Sequence, residues 1–270
     1  MNPYWKRFIE EVTWCAEPHM TAVVGPSEAP GSWAPKSEDF ARLFPELNRL
    51  LETAHIARAV VSDRPYQFFT WPSDGSGCRS WLSPWPSFAT PSGLFRDHQV
   101  LLESFGGIIQ NSNAPEGWWG GAHYDVLTEQ EAQRDATFLN YCASAFEQES
   151  LTIPIDPEQF YSIAAEASFE ITLCHRTTGE VIFFSSDCVH DYVEVYPGCP
   201  EQTLYRLIGA PTFGDYVETI ARQWAGQQNG ARPAPDAVDL TRAAVSSQRA
   251  PGRYRPASRL YRGRRRSRPR

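Results

Sequence analysis

The hydrophobic pattern of this chain changes period at Pro154, and that change constrains the fold more than any other feature of the sequence. Before it, Ala132, Ala136, Leu139, Ala143 and Phe146 recur at intervals of four and three, the spacing that gathers apolar side chains on one helical face. After it, Phe169, Ile171 and Leu173 alternate with Glu170, Thr172 and Cys174, the period of a β-strand. Arg176-Thr177-Thr178-Gly179 then reads as a tight turn, and Glu180-Val181-Ile182-Phe183-Phe184 as the returning strand of a hairpin.

Around this hairpin the remaining elements follow from local signals. Thr128 opens a helix running to Glu149, its hydroxyl capping the first turn and Glu131 answering three residues later. Leu94 to Phe105 reads as a helix that stops at Gly106-Gly107, where glycine permits the left-handed backbone of a C-terminal cap. Strands are expected at Tyr192 to Tyr196 and Thr203 to Leu207. A closing helix starts at Thr212, with Asp215 completing the cap and Phe213, Val217, Ile220 and Trp224 on one face. Upstream lie a short amphipathic pattern from Tyr4 to Trp14 and a helix from Ser37 to about Ala57, within which Pro45 begins a second helix. Two strand-like runs follow, 59–61 and 66–69. Residues 71–93 hold so many Pro, Ser, Gly and Trp residues that irregular chain is expected there.

Helices, then strands, then a closing helix predict an α+β fold, a mixed or antiparallel sheet with a central hairpin packed by N-terminal and C-terminal helices. Three segments are expected: an extension at 1–93 packed on the main domain, the α+β domain at 94–225, and a tail at 226–270. The tail has neither Phe nor Trp and is expected to be disordered, because it cannot bury enough apolar surface to offset backbone entropy.

Charge divides the chain along the same line. Its 270 residues carry a net charge of −7, but ten arginines fall between Arg249 and Arg270 with no acid among them, leaving 15 basic and 32 acidic residues in 1–248, a net of −17. A body this acidic is a poor match for nucleic acid, whose phosphates demand cations. The tail has three open readings: nucleic-acid binding, in which Tyr254 and Tyr261 stack on bases, association with the acidic body, or a neutral extension. No run of about 18 apolar residues exists, so no membrane span is expected. Acids interrupt the N-terminus before any apolar stretch forms, so a secretory signal is not expected and the cytoplasm is. The six cysteines, scattered through a long chain, read as buried thiols rather than a disulfide framework.

Phosphate-binding, dinucleotide-binding, nucleophile-elbow and His-Glu-x-x-His signatures are absent from the sequence. Cys174, His175, Cys188 and His190 hold the residue types of a zinc site, but neighbours on a strand point to opposite faces, so neither metal nor another cofactor is expected. Cys188, His190 and Asp191 hold the types of a thiol nucleophile, base and orienter, although residues so close in sequence seldom converge. Glu52 and His55 match one half of a di-iron helix motif, too short a signal against a surface pair. Trp118-Trp119-Gly120-Gly121, ahead of His123-Tyr124-Asp125, reads either as a partner contact or as a loop with both rings buried. The segment of Trp71, Trp81 and Trp85 reads as packing ahead of a recognition loop.

Four pieces of 94–225 form an ordered set: Leu101-Leu102-Glu103-Ser104-Phe105-Gly106-Gly107, Tyr161-Ser162-Ile163-Ala164, Thr178-Gly179-Glu180-Val181, and the closing helix with Phe213, Tyr216, Val217 and Trp224. Their order resembles the SUKH superfamily, which includes bacterial toxin-immunity proteins and fungal cell-wall-synthesis regulators. The long Trp- and Pro-rich N-terminal stretch, the Thr128 helix and the Arg tail depart from the family pattern. The resemblance implies a non-catalytic immunity protein that neutralises a bacterial toxin domain by stoichiometric binding, with Gly106 and Gly107 structural. A body charge of −17 suits a basic, nuclease-type toxin partner. The contact residues expected are Trp118, Trp119, Asp125, Asp187, Asp191 and Glu194. Two alternatives are a regulatory adaptor whose Arg249–Arg270 segment reaches RNA or phosphate, and a thiol enzyme centred on Cys188.

Overall fold

A computed structural model describes residues 2–12, 21–72, 78–86, 92–115, 117–119, 123–133, 138–166, 170–186 and 191–226. All of them belong to the first of the two units, Met1–Gly230 and Ala231–Arg270, into which the chain divides. The fold is α+β, built on two antiparallel sheets.

The first sheet has the order β1 (Ala22–Val24), β2 (His55–Val61), β3 (Arg64–Pro72), β4 (Cys78–Pro84) and β5 (Gln110–Ser112). Ser62 and Asp63 join β2 to β3 with φ of 47° and 64°, the pair of left-handed residues that a two-residue hairpin turn needs. Helix α1 (Pro3–Glu11) starts at Asn2, whose side chain accepts from the Tyr4 and Trp5 amides. It lays Trp5 and Phe8 on Ala57, Ala59, Phe68 and Leu82, closing one face of this sheet. Because β5 pairs with β4, the segments 1–93 and 94–225 share a sheet and a core.

The second sheet runs β10 (Val193–Val195), β11 (Leu204–Leu207), β9 (Val181–Phe184), β8 (Ile171–His175), β7 (Phe160–Glu166), β6 (His123–Tyr124). The hairpin is therefore central, with Leu173 opposite Ile182 and Cys174 opposite Val181. Both faces of this sheet are covered, so Val181 to Phe184 are all buried. One face meets Cys142 and Phe146 of α6 (Phe138–Gln148), and the other joins the main core. The turn is closed by His175, whose Nδ1 accepts from the Thr177 and Thr178 amides at 3.1 Å each. Gly179 takes φ +72°, and a Cβ there would sit 2.5 Å from the Phe95 ring.

Several expectations are corrected. Within 71–93, where 73–77 and 87–91 lie outside the described residues, the described residues include regular strand: β3 extends to Pro72 and β4 occupies 78–84, with Trp81 fully buried. Pairing to β3 along its full length outweighs local composition. The Ser37 helix does break at Pro45 as expected, into α2 (Glu38–Leu43) and α3 (Pro45–Glu52), but it does not reach Ala57, because the chain is already extended at His55. The Thr128 helix is described as α5 (Glu129–Ala132) and α6, with 134–137 outside the described residues. Thr128 Oγ1 accepts from the Glu131 amide as expected, but the Glu131 carboxylate turns inward and accepts from Ser162 Oγ. Helix α4 (Arg96–Ser104) ends at Phe105 in extended backbone, φ −133°, so no left-handed glycine caps it. Gly106 and Gly107 serve close approach instead. A Cβ on Gly106 would overlap the Pro84 carbonyl, and one on Gly107, at φ +83°, would lie 2.6 Å from the Leu127 carbonyl.

Helix α7 (Phe213–Trp224) begins at Thr212, whose Oγ1 accepts from the Asp215 amide. Its buried face carries Phe213, Tyr216, Val217, Ile220 and Trp224. Trp224 meets Trp71, Trp81 and Trp118 with ring centroids 5.7, 4.8 and 4.8 Å away, an aromatic block joining the first sheet to α7. Arg79 of β4 donates to the Trp224 carbonyl at 2.6 Å and satisfies the helix end.

Candidate functional site

The first sheet is covered unequally on the face opposite α1. At one end Ile56, Phe69 and Trp81, adjacent across β2, β3 and β4, lie in the main core. Four residues along each of β2 and β3, the same face emerges. Val23 opposes Val60, Val60 opposes Pro65, and Trp85 donates its amide to the Pro65 carbonyl. This cross-strand row of apolar side chains is open: Val23 is 71% exposed, Val60 42% and Trp85 36%. Isolated exposed apolar residues are ordinary, whereas a contiguous row on a sheet face marks a contact surface. The Arg58 guanidinium lies 5.4 Å from the Trp85 ring centroid and holds one side of the indole.

Trp85 forms the ridge between two hollows. The smaller, about 180 Å³, is bounded by Trp33, Arg58 and Gln67. The larger is an open cleft of about 940 Å³. One wall is the end of the first sheet, presenting Arg64, Pro65, Tyr66, Pro84 and Trp85. The other is the short helix α5 with the residues that flank it, presenting Asp125, Thr128, Glu129, Gln130 and Gln133. Leu102 and Gly106 lie at the base, which is why the close approach of Gly106 to Pro84 matters for the shape of the cleft.

The far wall is held in an unusual backbone conformation. Asp125 and Leu127 have φ of 60° and 59°, flanking Val126, which bridges to Ile108. Non-glycine residues pay for this geometry, so surrounding contacts must hold it. The Leu127 amide donates to the Ile163 carbonyl at 2.6 Å, and the Leu127 carbonyl accepts from His98 Nε2 at 3.0 Å. Since a carbonyl only accepts, that contact fixes the tautomer: Nδ1 is bare and accepts from the Tyr161 hydroxyl at 3.0 Å. Burial holds His98 neutral, lowering its pKa to about 4 against the opposing pull of the Leu127 carbonyl.

The structure separates the contact residues expected from sequence. Asp125 lines the cleft. Trp118 is 5% exposed and donates Nε1–H to the Ile220 carbonyl at 2.9 Å, so it is a packing residue that ties its loop to α7. Trp119 is half-buried, 5.2 Å from the Tyr192 ring and 6.5 Å from that of Tyr216. Asp191 and Glu194 are exposed, Glu194 on the edge strand β10. Trp119, Asp191 and Glu194 thus share the β10 side, apart from Asp125. Asp187, Cys188 and His190 lie outside the described residues, as does the Arg249–Arg270 segment. Sequence reasoning missed Tyr66 and ranked packing ahead of recognition for Trp85. Their signal was the prolines beside them, Pro65, Pro84 and Pro86, which hold aromatic rings on rigid backbone.

Cys78, Cys142, Cys174 and Cys199 are free thiols. Burial pushes Cys174 up to about 12 and Cys199 up to about 11, opposite to what a thiolate nucleophile or metal ligand needs. Among the described residues no group of three or more His, Cys, Asp and Glu is placed to hold a metal ion. Glu52 accepts from Asn48 Nδ2 at 2.7 Å and His55 packs on the Tyr4 ring. No helix of the described residues is long and apolar enough to cross a membrane. Comparison with protein-family models, with curated proteins and with solved structures returns no match.

Proposed function

We propose that this chain is a non-catalytic protein-binding module, an immunity protein of the SUKH kind that neutralises a bacterial toxin domain by stoichiometric binding in the cytoplasm. The observation that carries the reading is electrostatic: residues 1–248 hold a net charge of −17, which steers a basic nuclease-type domain and competes for the groove where it grips phosphate. The open row of Val23, Val60 and Trp85 supports it, since apolar and aromatic surface beside acids is the composition of a protein contact. The Gly-Gly, hairpin and closing-helix motifs that resemble the family support it as well. Asp125 with Trp85 forms one contact set, and Trp119, Asp191 and Glu194 form a second.

The arginine block favours one further reading, a regulatory adaptor that uses Arg249–Arg270 to hold RNA or phosphate. The full chain and a chain lacking those 22 residues separate the two in a pull-down with toxins encoded beside the gene. Capture by both chains is the expected result. Capture of no neighbouring toxin even at low salt sinks the immunity reading, and loss of all binding with the tail favours the adaptor.

A further inference from the structure

We propose that the cleft beside Trp85 is a docking groove for an extended, proline-containing cationic segment of the partner, an assignment that rests on the protein-binding reading above. The sheet wall supplies what proline recognition requires. Trp85 stands beside Pro65 with its indole braced on one side by Arg58 at 5.4 Å, and Tyr66, on the other face of the sheet beside Pro84, lines the same cleft. Rigid aromatic ledges suit a polyproline segment, which arrives already extended and loses little conformational entropy on docking. Across the Trp85 ridge, apolar surface runs on from Pro65 through Val60 to Val23, a strip that accommodates several residues of extended chain.

The opposite wall supplies the polar half. A polyproline segment makes no internal hydrogen bonds, so its carbonyls need donors, and Gln130 in α5 and Gln133 at its C-terminal end are exposed amides. The Glu129 carboxylate, which accepts from Gln133 Nε2 at 3.1 Å, sets the charge. An arginine or lysine of the segment pairs there, while Arg64 on the sheet wall repels a cation from that side and so orients the segment across the groove. The same preference follows from the acidity of the body as a whole.

Isothermal titration of the full chain with a peptide of Pro-Pro-Arg repeats tests this. The expected result is saturable binding that weakens at least about tenfold when arginine is replaced by glutamate in the peptide, and likewise for Trp85→Ala and for Glu129→Gln. A Gly-Gly-Arg peptide of equal charge separates groove docking from bulk attraction, and its binding is expected to be weaker. Equal binding of the glycine peptide, or full binding by both variants, overturns the proposal, as does binding of an uncharged oligosaccharide in place of the peptide. Failure of this proposal differs visibly from failure of the immunity reading: a captured toxin that both variants hold as tightly as the unchanged chain removes the groove and leaves the reading intact.

Discussion

His98 lies in the first turn of α4 with no exposure at all, tilted against the Phe213 ring at 4.8 Å and bonded through both ring nitrogens. Its neutrality has a consequence for acid stability. The folded pKa of about 4 lies below the 6.5 of an unfolded histidine, so the unfolded chain takes up a proton that the folded chain refuses. The contribution is complete above pH 6.5 and is lost as pH falls toward 4, reaching about 3 kcal/mol. Urea unfolding at a series of pH values measures it. Replacing His98→Gln is expected to flatten the dependence between pH 6 and 4.5 by up to about 1.4 kcal/mol per pH unit, and an unchanged slope rules the assignment out. The hydrogen bond from His98 also holds Leu127 at positive φ, so this buried residue positions the wall that carries Asp125 and Glu129.

Among the elements, α3 shows how a helix end is satisfied from a distance. Its N-cap residue, Phe44, has no capping side chain, and the Glu218 carboxylate of α7 accepts from the Glu46 and Leu47 amides at 2.9 and 3.2 Å. That carboxylate sits at the positive end of the α3 dipole and joins two helices far apart in the chain. Glu218→Ala is expected to lower unfolding free energy by about 1–2 kcal/mol, and Glu218→Gln, which keeps one acceptor, by less. Denaturant midpoints that do not move in either variant would remove the cap. This contact also marks where sequence reading stops. The hairpin, α7 and the break at Pro45 were legible because turn, cap and proline signals act over a few residues. Strand β4 was not, because its Pro-rich flanks conceal a run that is extended only through pairing with β3 and β5. Asp125 was legible as a loop acid, but the ridge of Trp85 beside Pro65 emerges only once the two become cross-strand neighbours. Trp118 and Trp119 illustrate the opposite outcome: two adjacent rings in a glycine-rich connection found their partners in α7 and Tyr192.

At the scale of the molecule, the charge separation organises the account. The acidic residues belong to 1–248 and the arginine block to 249–270, so the sequence carries two segments of opposite charge. The described fold adds geometry to the acidic part: a sheet face open at one end, an aromatic ridge, and a cleft with a carboxylate wall. Long-range attraction of this kind accelerates association and is screened by salt, while the apolar contacts are not. The most direct measurement is a titration of the full chain into any toxin encoded beside its gene, reading toxin activity at about 50 and about 500 mM salt. Loss of all toxin activity at one equivalent, with an affinity weaker at the higher salt, is the predicted result; a toxin that stays fully active at low salt in excess of this protein would contradict the account.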